Sequence, residues 1–476
     1  MKIYQKVILV ISGIVVSTIL ITYQARCQWK LTSSTNQQRW VAQKDITAQV
    51  YDPTLACDVV IDAKKTLQRI DGWGACFNEL GWKNLLLLDT AKRTQIVNDL
   101  FGTDGLNFNM GRIPVAASDY ALNWYSYNET PNDFDMSKFS INRDKDFMLP
   151  FIKAALKVNP SLDFWASPWS PPSWMKVNNH YASIPSKFND LPESRSVKML
   201  KEQFILKPEY LKSYALYLAK FLQAYQAEGI DITGLHIQNE PFHHATFPGC
   251  VWSAKSMGLF ITDYLQPAFK RQEINTGIWY GTINNGSMDG YEGALDNPKV
   301  RKIIKGVGVQ WAGKNALKDL SQKYPGTKFM QTESECGNGT FDWKAAAYTF
   351  GLIKFYLDNG VSSYTYWNMV LDNTGQSSWG WKQNALITVN PTSKEVTYTP
   401  EFYLFKHLSS FVKAGSYKLS QQGPHEETLA FKNQDGKIVL FIHNPYDYVK
   451  TVVVKIANET IKVTMQPNSF NTLRQA

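Results

Sequence analysis

The chain has 476 residues, 44% of them apolar and 13% aromatic, with 50 Lys+Arg against 41 Asp+Glu. That much apolar material excludes a disordered chain and supports a large buried core, with room for about two or three domains when one barrel counts as one. The basic excess forms no run of like charge and no basic helix interleaved with aromatics, so a nucleic-acid partner is not expected.

Residues 1–27 carry Lys2, Lys6 and Arg26 and no acid, and from Val7 to Ile21 they hold an apolar run broken only by Ser12, Gly13, Ser17 and Thr18. The run is shorter than the roughly 20 residues of a membrane span. With Ala25-Arg26-Cys27 behind it, it reads as a secretory signal. The expected mature chain begins near Gln28, is exported (secreted, periplasmic or at the cell surface) and keeps no integral membrane segment. Lipid attachment at Cys27 is an alternative that Arg26 argues against, because a small residue is preferred there. Beyond the signal, Cys57, Cys76, Cys250 and Cys336 match no metal-ligand spacing, and whether any two pair is left open.

Residues 40–70 contain short alternating runs, Ile46-Thr-Ala-Gln-Val-Tyr51 and Asp58-Val-Val-Ile-Asp62, which read as strands of a small β unit. From Asp71 to Tyr398 strands alternate with longer helical segments, the pattern of a parallel sheet. Eight strands are predicted, at 72–77, 106–113, 162–169, 233–240, 277–283, 306–311, 328–333 and 362–368. Eight parallel strands close a barrel. A helix starts at Lys207-Pro208 with proline in its first turn and stops at Gly229, and a second over 343–359 stops at Gly360. After a helix at 401–411, six period-two runs fill 417–473, with Asp435-Gly436 as a hairpin turn. The expected fold class is α/β, a (β/α)8 TIM barrel with a β-sandwich side domain built from both termini. The expected division is a signal at 1–27, N-terminal sandwich strands at 28–70, the catalytic barrel at 71–398, and a connecting helix with the C-terminal sandwich at 399–476.

Candidate chemistry sits at two strand ends. Leu235-His236-Ile237-Gln238-Asn239-Glu240-Pro241 reads as the fourth barrel strand ending on a carboxylate, because Pro241 has no N–H for a ladder. Lys328-Phe-Met-Gln-Thr-Glu333 ends the seventh on another, and period two does not choose between Glu333 and Glu335. The carboxyl ends of barrel strands are where catalytic groups collect. Two facing carboxyls, one holding a proton and one charged, are what hydrolysis of a glycosidic bond requires, at about 5–5.5 Å for retention of configuration. Strict alternation would turn Asn239 and Glu240 to opposite faces, so a bulge or turn at Asn239 is expected. His236 reads as a core histidine, and His243 and His244 fit no metal site; neither metal nor cofactor is expected. Most of the 15 Trp belong in the core; Trp169, Trp174, Trp367, Trp379 and Trp381 lie at strand ends or in the following loops, where a flat ring can stack on a sugar.

Six motifs stand in order: Gly72-Trp-Gly-Ala-Cys-Phe-Asn-Glu79, Gly111-Arg-Ile-Pro-Val-Ala-Ala-Ser-Asp119, Ala166-Ser-Pro-Trp-Ser-Pro-Pro-Ser-Trp174, Gln238-Asn-Glu-Pro241, Thr332-Glu333 and Tyr366-Trp-Asn368. Together they resemble glycoside hydrolase family 30, the glucosylceramidase-like retaining β-glycosidases, over roughly Ile70 to Val412. The resemblance implies Glu240 as acid/base and Glu333 as nucleophile, its Thr-Glu pair selecting Glu333 over Glu335. It also implies Arg112 beside the nucleophile, Glu79 on hydroxyls of the bound sugar and Asn239 on the 2-hydroxyl. Trp169, Trp311, Trp367 and Asn384 fall at its sugar-site positions. Gln310-Trp311-Ala312-Gly313 departs from the glucosylceramide-cleaving pattern by lacking the aromatic after the tryptophan, so a tyrosine that helps position the nucleophile is missing. Trp379-Gly-Trp-Lys-Gln-Asn384, which carries Trp379 and Trp381, is similar to the β-1,6-glucanase branch instead. The expected protein is a monomeric β-glycosidase on a β-linked oligo- or polysaccharide, β-1,6-glucan first, with glucosylceramide or another β-glucoside as alternatives. A sugar-binding protein without turnover is the non-enzyme alternative, against which both carboxylates speak.

Overall fold

The computed structural model describes residues 27–476, so the signal read at the N-terminus lies outside the described residues except for Cys27. Eight parallel strands form the barrel: Gly72–Cys76, Met110–Val115, Asp163–Pro168, Ile232–His236, Gly277–Ile283, Val307–Gln310, Phe329–Glu333 and Ser363–Asp372. They are referred to as strands one to eight. Strand five is buried at all seven positions, the continuous burial expected where helices cover one face and the barrel interior the other. The ladder runs from strand seven through strand one to strand eight. At the seam between seven and eight a side chain does the joining: Gln331 accepts from the backbone N–H of Thr365 at 2.6 Å and donates to its carbonyl at 3.2 Å.

The helix Pro208–Ala227 begins on its proline and buries Tyr214, Tyr217, Leu218, Phe221, Leu222 and Tyr225 on one stripe. Strand two starts later than predicted, at Met110, because Asn107 has a φ of 51° that interrupts the extended run. Strand four stops earlier, at His236. Strand eight runs further, to Asp372, where it gains a parallel neighbour, Ala385–Val389, that alternation did not single out.

The side domain uses both ends of the chain. Gln28–Ser34 pairs antiparallel with Ser469–Gln475, and Val59–Arg69 lies between Tyr417–Gln422 and Lys450–Ile456. Its inner face holds Trp29, Leu31, Ile61, Leu440, Val454, Val463 and Leu473, while the alternate residues Leu429, Phe431, Phe441 and Phe470 join the barrel core. The helix Pro400–Ser409 is wedged at this junction; its His407 ring reaches Ser34 Oγ at 2.9 Å and Thr472 Oγ1 at 3.0 Å, tying together strands from opposite ends of the sequence.

Candidate active site

After strand four the backbone divides its bonds between two neighbours. Gln238 exchanges hydrogen bonds with Gly281 and Thr282 of strand five, whereas the Asn239 N–H donates to Pro168 of strand three at 2.7 Å. Glu240 then takes a φ of 46°, the left-handed region that costs a non-glycine residue about 1–3 kcal/mol. The expected turn is therefore present one residue late, at Glu240 rather than Asn239. Its effect is the one anticipated, because both side chains enter the barrel mouth. Asn239 Oδ1 accepts from Arg112 at 2.7 Å, Thr282 at 3.0 Å and Gln310 at 3.1 Å, which fixes the amide and leaves its NH2 as the group offered to a ligand.

Glu333 closes strand seven. One carboxylate oxygen accepts from Arg112 Nη1 at 2.6 Å and the other from the Trp311 indole N–H at 2.9 Å. Trp311 reaches it from a left-handed turn with φ 48° directly after strand six. The tryptophan that the sequence keeps here thus holds the carboxylate through its indole, with no hydroxyl from the residue after it, Ala312. Arg112 is fully buried, donates also to Ser167 and the Thr332 carbonyl, and lies 5.1, 4.3 and 5.2 Å from the ring centres of Trp165, Trp169 and Trp367. Such a buried cation is sustained by complete pairing, so the arginine and the carboxylate need each other. Glu335 lies at the same mouth but is engaged by Lys314 at 2.6 Å.

Glu240 has the opposite environment. Burial and then the charge of Glu333 push its carboxyl up to about 8, partly offset by Gln310 and Arg112, so at neutral pH it holds a proton. Glu333 and Glu240 share a cavity of about 630 Å³ whose lining includes Asp119, Trp311, Lys314, Glu335, Trp381 and Gln383. The size falls within the range of about 300–1,000 Å³ typical of small-molecule sites.

Asp119 is the functional candidate that sequence reasoning missed. It is 5% exposed, its Oδ1 has no partner within the protein, and burial followed by the Glu333 and Glu240 charges raises its carboxyl well above the ordinary range. The only sequence signal was its place as the last residue of the second motif, two positions past a residue, Ala117, that already lies beyond the strand. Its loop is anchored from behind: the Ala116 N–H donates to the Tyr127 hydroxyl, and Tyr125, Tyr127 and Tyr225 all donate to buried Asp144.

Two of the residues expected at the sugar have partners within the protein. Glu79 begins the helix Glu79–Leu85 and accepts from Arg143 at 3.1 Å and from the Leu122 N–H at 2.7 Å, so it braces the Asp119 loop. Asn384 is fully buried; its amide donates to Glu401 at 2.5 Å and accepts from the Gly339 N–H at 2.9 Å, clamping the loop after strand seven while its neighbour Gln383 lines the cavity. Trp169 and Trp367 stack with ring centres 5.4 Å apart beneath the site, each 1% exposed. Trp381 lines the cavity and packs on Phe247 at 4.8 Å. Trp379 lies behind it with Ala117 and Ala121, a supporting position and not a wall of the cavity. Trp174 is buried, with its indole N–H bonded to the Asn128 carbonyl. The arrangement offers a proton donor, a paired carboxylate and an amide donor around one space, the requirements of acid/base-assisted displacement at a sugar carbon.

The glycosyl hydrolase family 30 TIM-barrel domain matches residues 70–412, and the family's beta sandwich domain matches residues 417–473. Putative glucosylceramidase 3 of Caenorhabditis elegans is 31% identical, over 76% of this chain and 70% of its own. The endo-1,6-beta-D-glucanase of Neurospora crassa is 28% identical over 80% of this chain and 79% of its own. Among solved structures, an endo-beta1,6-glucanase superimposes with a TM-score of 0.79 at 23% identity, covering 94% of this chain and 99% of that one.

Proposed function

The chain belongs to glycosyl hydrolase family 30, and from that membership we propose that it is an exported, retaining β-glycosidase whose substrate is β-1,6-linked glucan. The observation that carries the mechanism is the contrast between two carboxyls in one cavity: Glu240 held protonated near neutrality, Glu333 held by Arg112 and Trp311. Glu333 attacks the anomeric carbon while Glu240 gives its proton to the departing oxygen, forming a glycosyl ester on Glu333. Glu240, now a carboxylate, takes a proton from water, which attacks the same carbon and releases Glu333. The first step takes the proton from Glu240 and the second returns one, so the cycle restores it, and two inversions leave the configuration retained. The NH2 of Asn239 is placed to donate to a sugar hydroxyl, and Asp119 to accept from others.

The β-1,6 linkage is supported by the endo-1,6-glucanase relatives and by the Trp379-Gly-Trp-Lys-Gln-Asn384 loop. The extra rotatable bond of that linkage lets a chain turn out of a deep pocket. Relatives named as glucosylceramidases, one of them 31% identical, supply a second reading, glucosylceramide as substrate. Export rests on the N-terminal signal read from the sequence. Product analysis on β-1,6-, β-1,3- and β-1,4-glucans beside glucosylceramide tests the proposal. Faster cleavage of β-1,6-glucan with release of the β-anomer is expected; preference for glucosylceramide overturns the substrate, and release of the α-anomer overturns the mechanism.

A further inference from the structure

The line between Glu240, just past strand four, and Glu333, at the end of strand seven, divides the barrel mouth into two unequal arcs. Strands eight, one, two and three supply the longer arc, with Asp119, Trp169, Trp367 and Trp381; it holds the buried, aromatic-floored part of the site. Strands five and six supply the shorter arc. Its contribution to the cavity is Asn284, Trp311, Ala312, Lys314 and Asn315, joined by Glu335 from the loop after strand seven.

The chemistry of the shorter arc is unlike that of the longer one. Lys314 donates to Glu335 Oε1 at 2.6 Å and to the Trp311 carbonyl at 3.1 Å, and an ammonium has three donors, so one N–H remains for a ligand. Both partners are inside the cavity lining and mostly covered, with side-chain exposures of 17% and 25%. Asn284 holds its carbonyl oxygen on the Phe242 N–H at 3.3 Å, which leaves its NH2 free to donate. This wall therefore presents fixed donors. An acyl chain seated against it would strip water from an ion pair and two amides without replacing their hydrogen bonds, a desolvation that carries no compensation. Hydroxyl groups replace those bonds.

We propose that Lys314, oriented by Glu335 and flanked by Asn284, forms the leaving-group subsite and that it takes a second sugar residue through its hydroxyls. The proposal rests on the glycosidase reading above and names the residues that set the preference for a glycan over a lipid glycoside. Because Lys314 also contacts the Trp311 carbonyl, a purely structural role would act through Trp311 on Glu333 and would slow every substrate alike.

The test compares Lys314→Met, Glu335→Gln and Lys314→Arg with the wild type on two substrates, a β-1,6-linked glucose disaccharide and 4-nitrophenyl β-glucoside, whose aryl leaving group has no hydroxyls to bind. Loss of a charge-assisted hydrogen bond to a substrate hydroxyl lowers kcat/KM by about tenfold. The disaccharide is expected to lose about tenfold more than the aryl glucoside in Lys314→Met and a smaller excess in Glu335→Gln, with Lys314→Arg recovering part of the excess. Equal losses on both substrates overturn the proposal, as does no loss on either. If the wild type prefers a glucose disaccharide of another linkage, the β-1,6 reading fails and the same comparison is made on that disaccharide. A wild type that cleaves glucosylceramide faster than every disaccharide overturns the leaving-group subsite itself.

Discussion

Removing Glu333 moves the proton on Glu240. Burial first, and the Glu333 charge second, raise that carboxyl from an ordinary 4.5 to about 8. At a retaining separation of about 5.5 Å and an effective dielectric constant of about 20, two carboxylates repel by about 3 kcal/mol, equivalent to about two pH units. Burial is the larger cause and survives the substitution, so Glu240 does not return to its ordinary value. In Glu333→Ala we expect it to fall by between about one and two pH units, to about 6–7. The assay is azide-rescued cleavage of a disaccharide, whose leaving oxygen needs a proton, followed against pH. The alkaline limb of kcat/KM, near pH 8 in the wild type, should move down to about 6–7 in the rescued variant. Carbon NMR of labelled glutamate gives the same quantity without turnover. A limb that stays at about 8 refutes the reasoning, because the Glu333 charge would then contribute nothing to Glu240.

Azide rescue also separates the two roles: Glu333→Ala should yield the inverted glycosyl azide and Glu240→Ala the retained one, with Glu335→Ala keeping a substantial fraction of aryl-glucoside hydrolysis; exchanged anomers reverse the assignment. Between about pH 4.5 and 8 the folded protein keeps a proton on Glu240 that the unfolded chain has released, so this group lowers stability progressively as pH rises through that window. Glu240→Gln should accordingly melt at a higher temperature than the wild type, by a margin that grows from pH 5 to pH 8, and a pH-independent margin contradicts it. Asn384→Ala strands a buried Glu401 oxygen and the Gly339 N–H, a cost of about 2–4 kcal/mol that should lower Tm while KM stays near the wild-type value; a KM rise with unchanged Tm would return Asn384 to the sugar.

The barrel was legible because each strand is an apolar run bounded by turn residues, and burial on both faces leaves little else for such runs to do. Glu240 and Glu333 were legible for the same reason, as charges at the ends of those runs. What the sequence did not announce were the partners of side chains that meet across long separations. Glu79 and Arg143 are 64 residues apart, and nothing in either motif announces that they meet. Asn384 and Glu401 lie in different elements, and their contact depends on where the helix Pro400–Ser409 docks. Asp119 was passed over because it lies in a loop beyond the strand, where period two gives no direction. Its orientation comes from the Tyr127–Asp144 anchor, assembled by tertiary packing alone.

The pairing of Gln28–Ser34 with Ser469–Gln475 bears on the order in which the two parts of the fold close. The strand Gln28–Ser34 has its main partner more than 400 positions later, so until Ser469–Gln475 has been made it holds only its short local neighbours, Val41–Ala42 and Ile46–Thr47. Contacts of such separation form late and leave earlier elements exposed to wrong partners. A chain truncated before Ser469 should therefore complete the barrel and leave the side domain open, with Trp29 still in water. The arrival of Ser469–Gln475, more than any local helix or turn, is the moment at which the side domain closes.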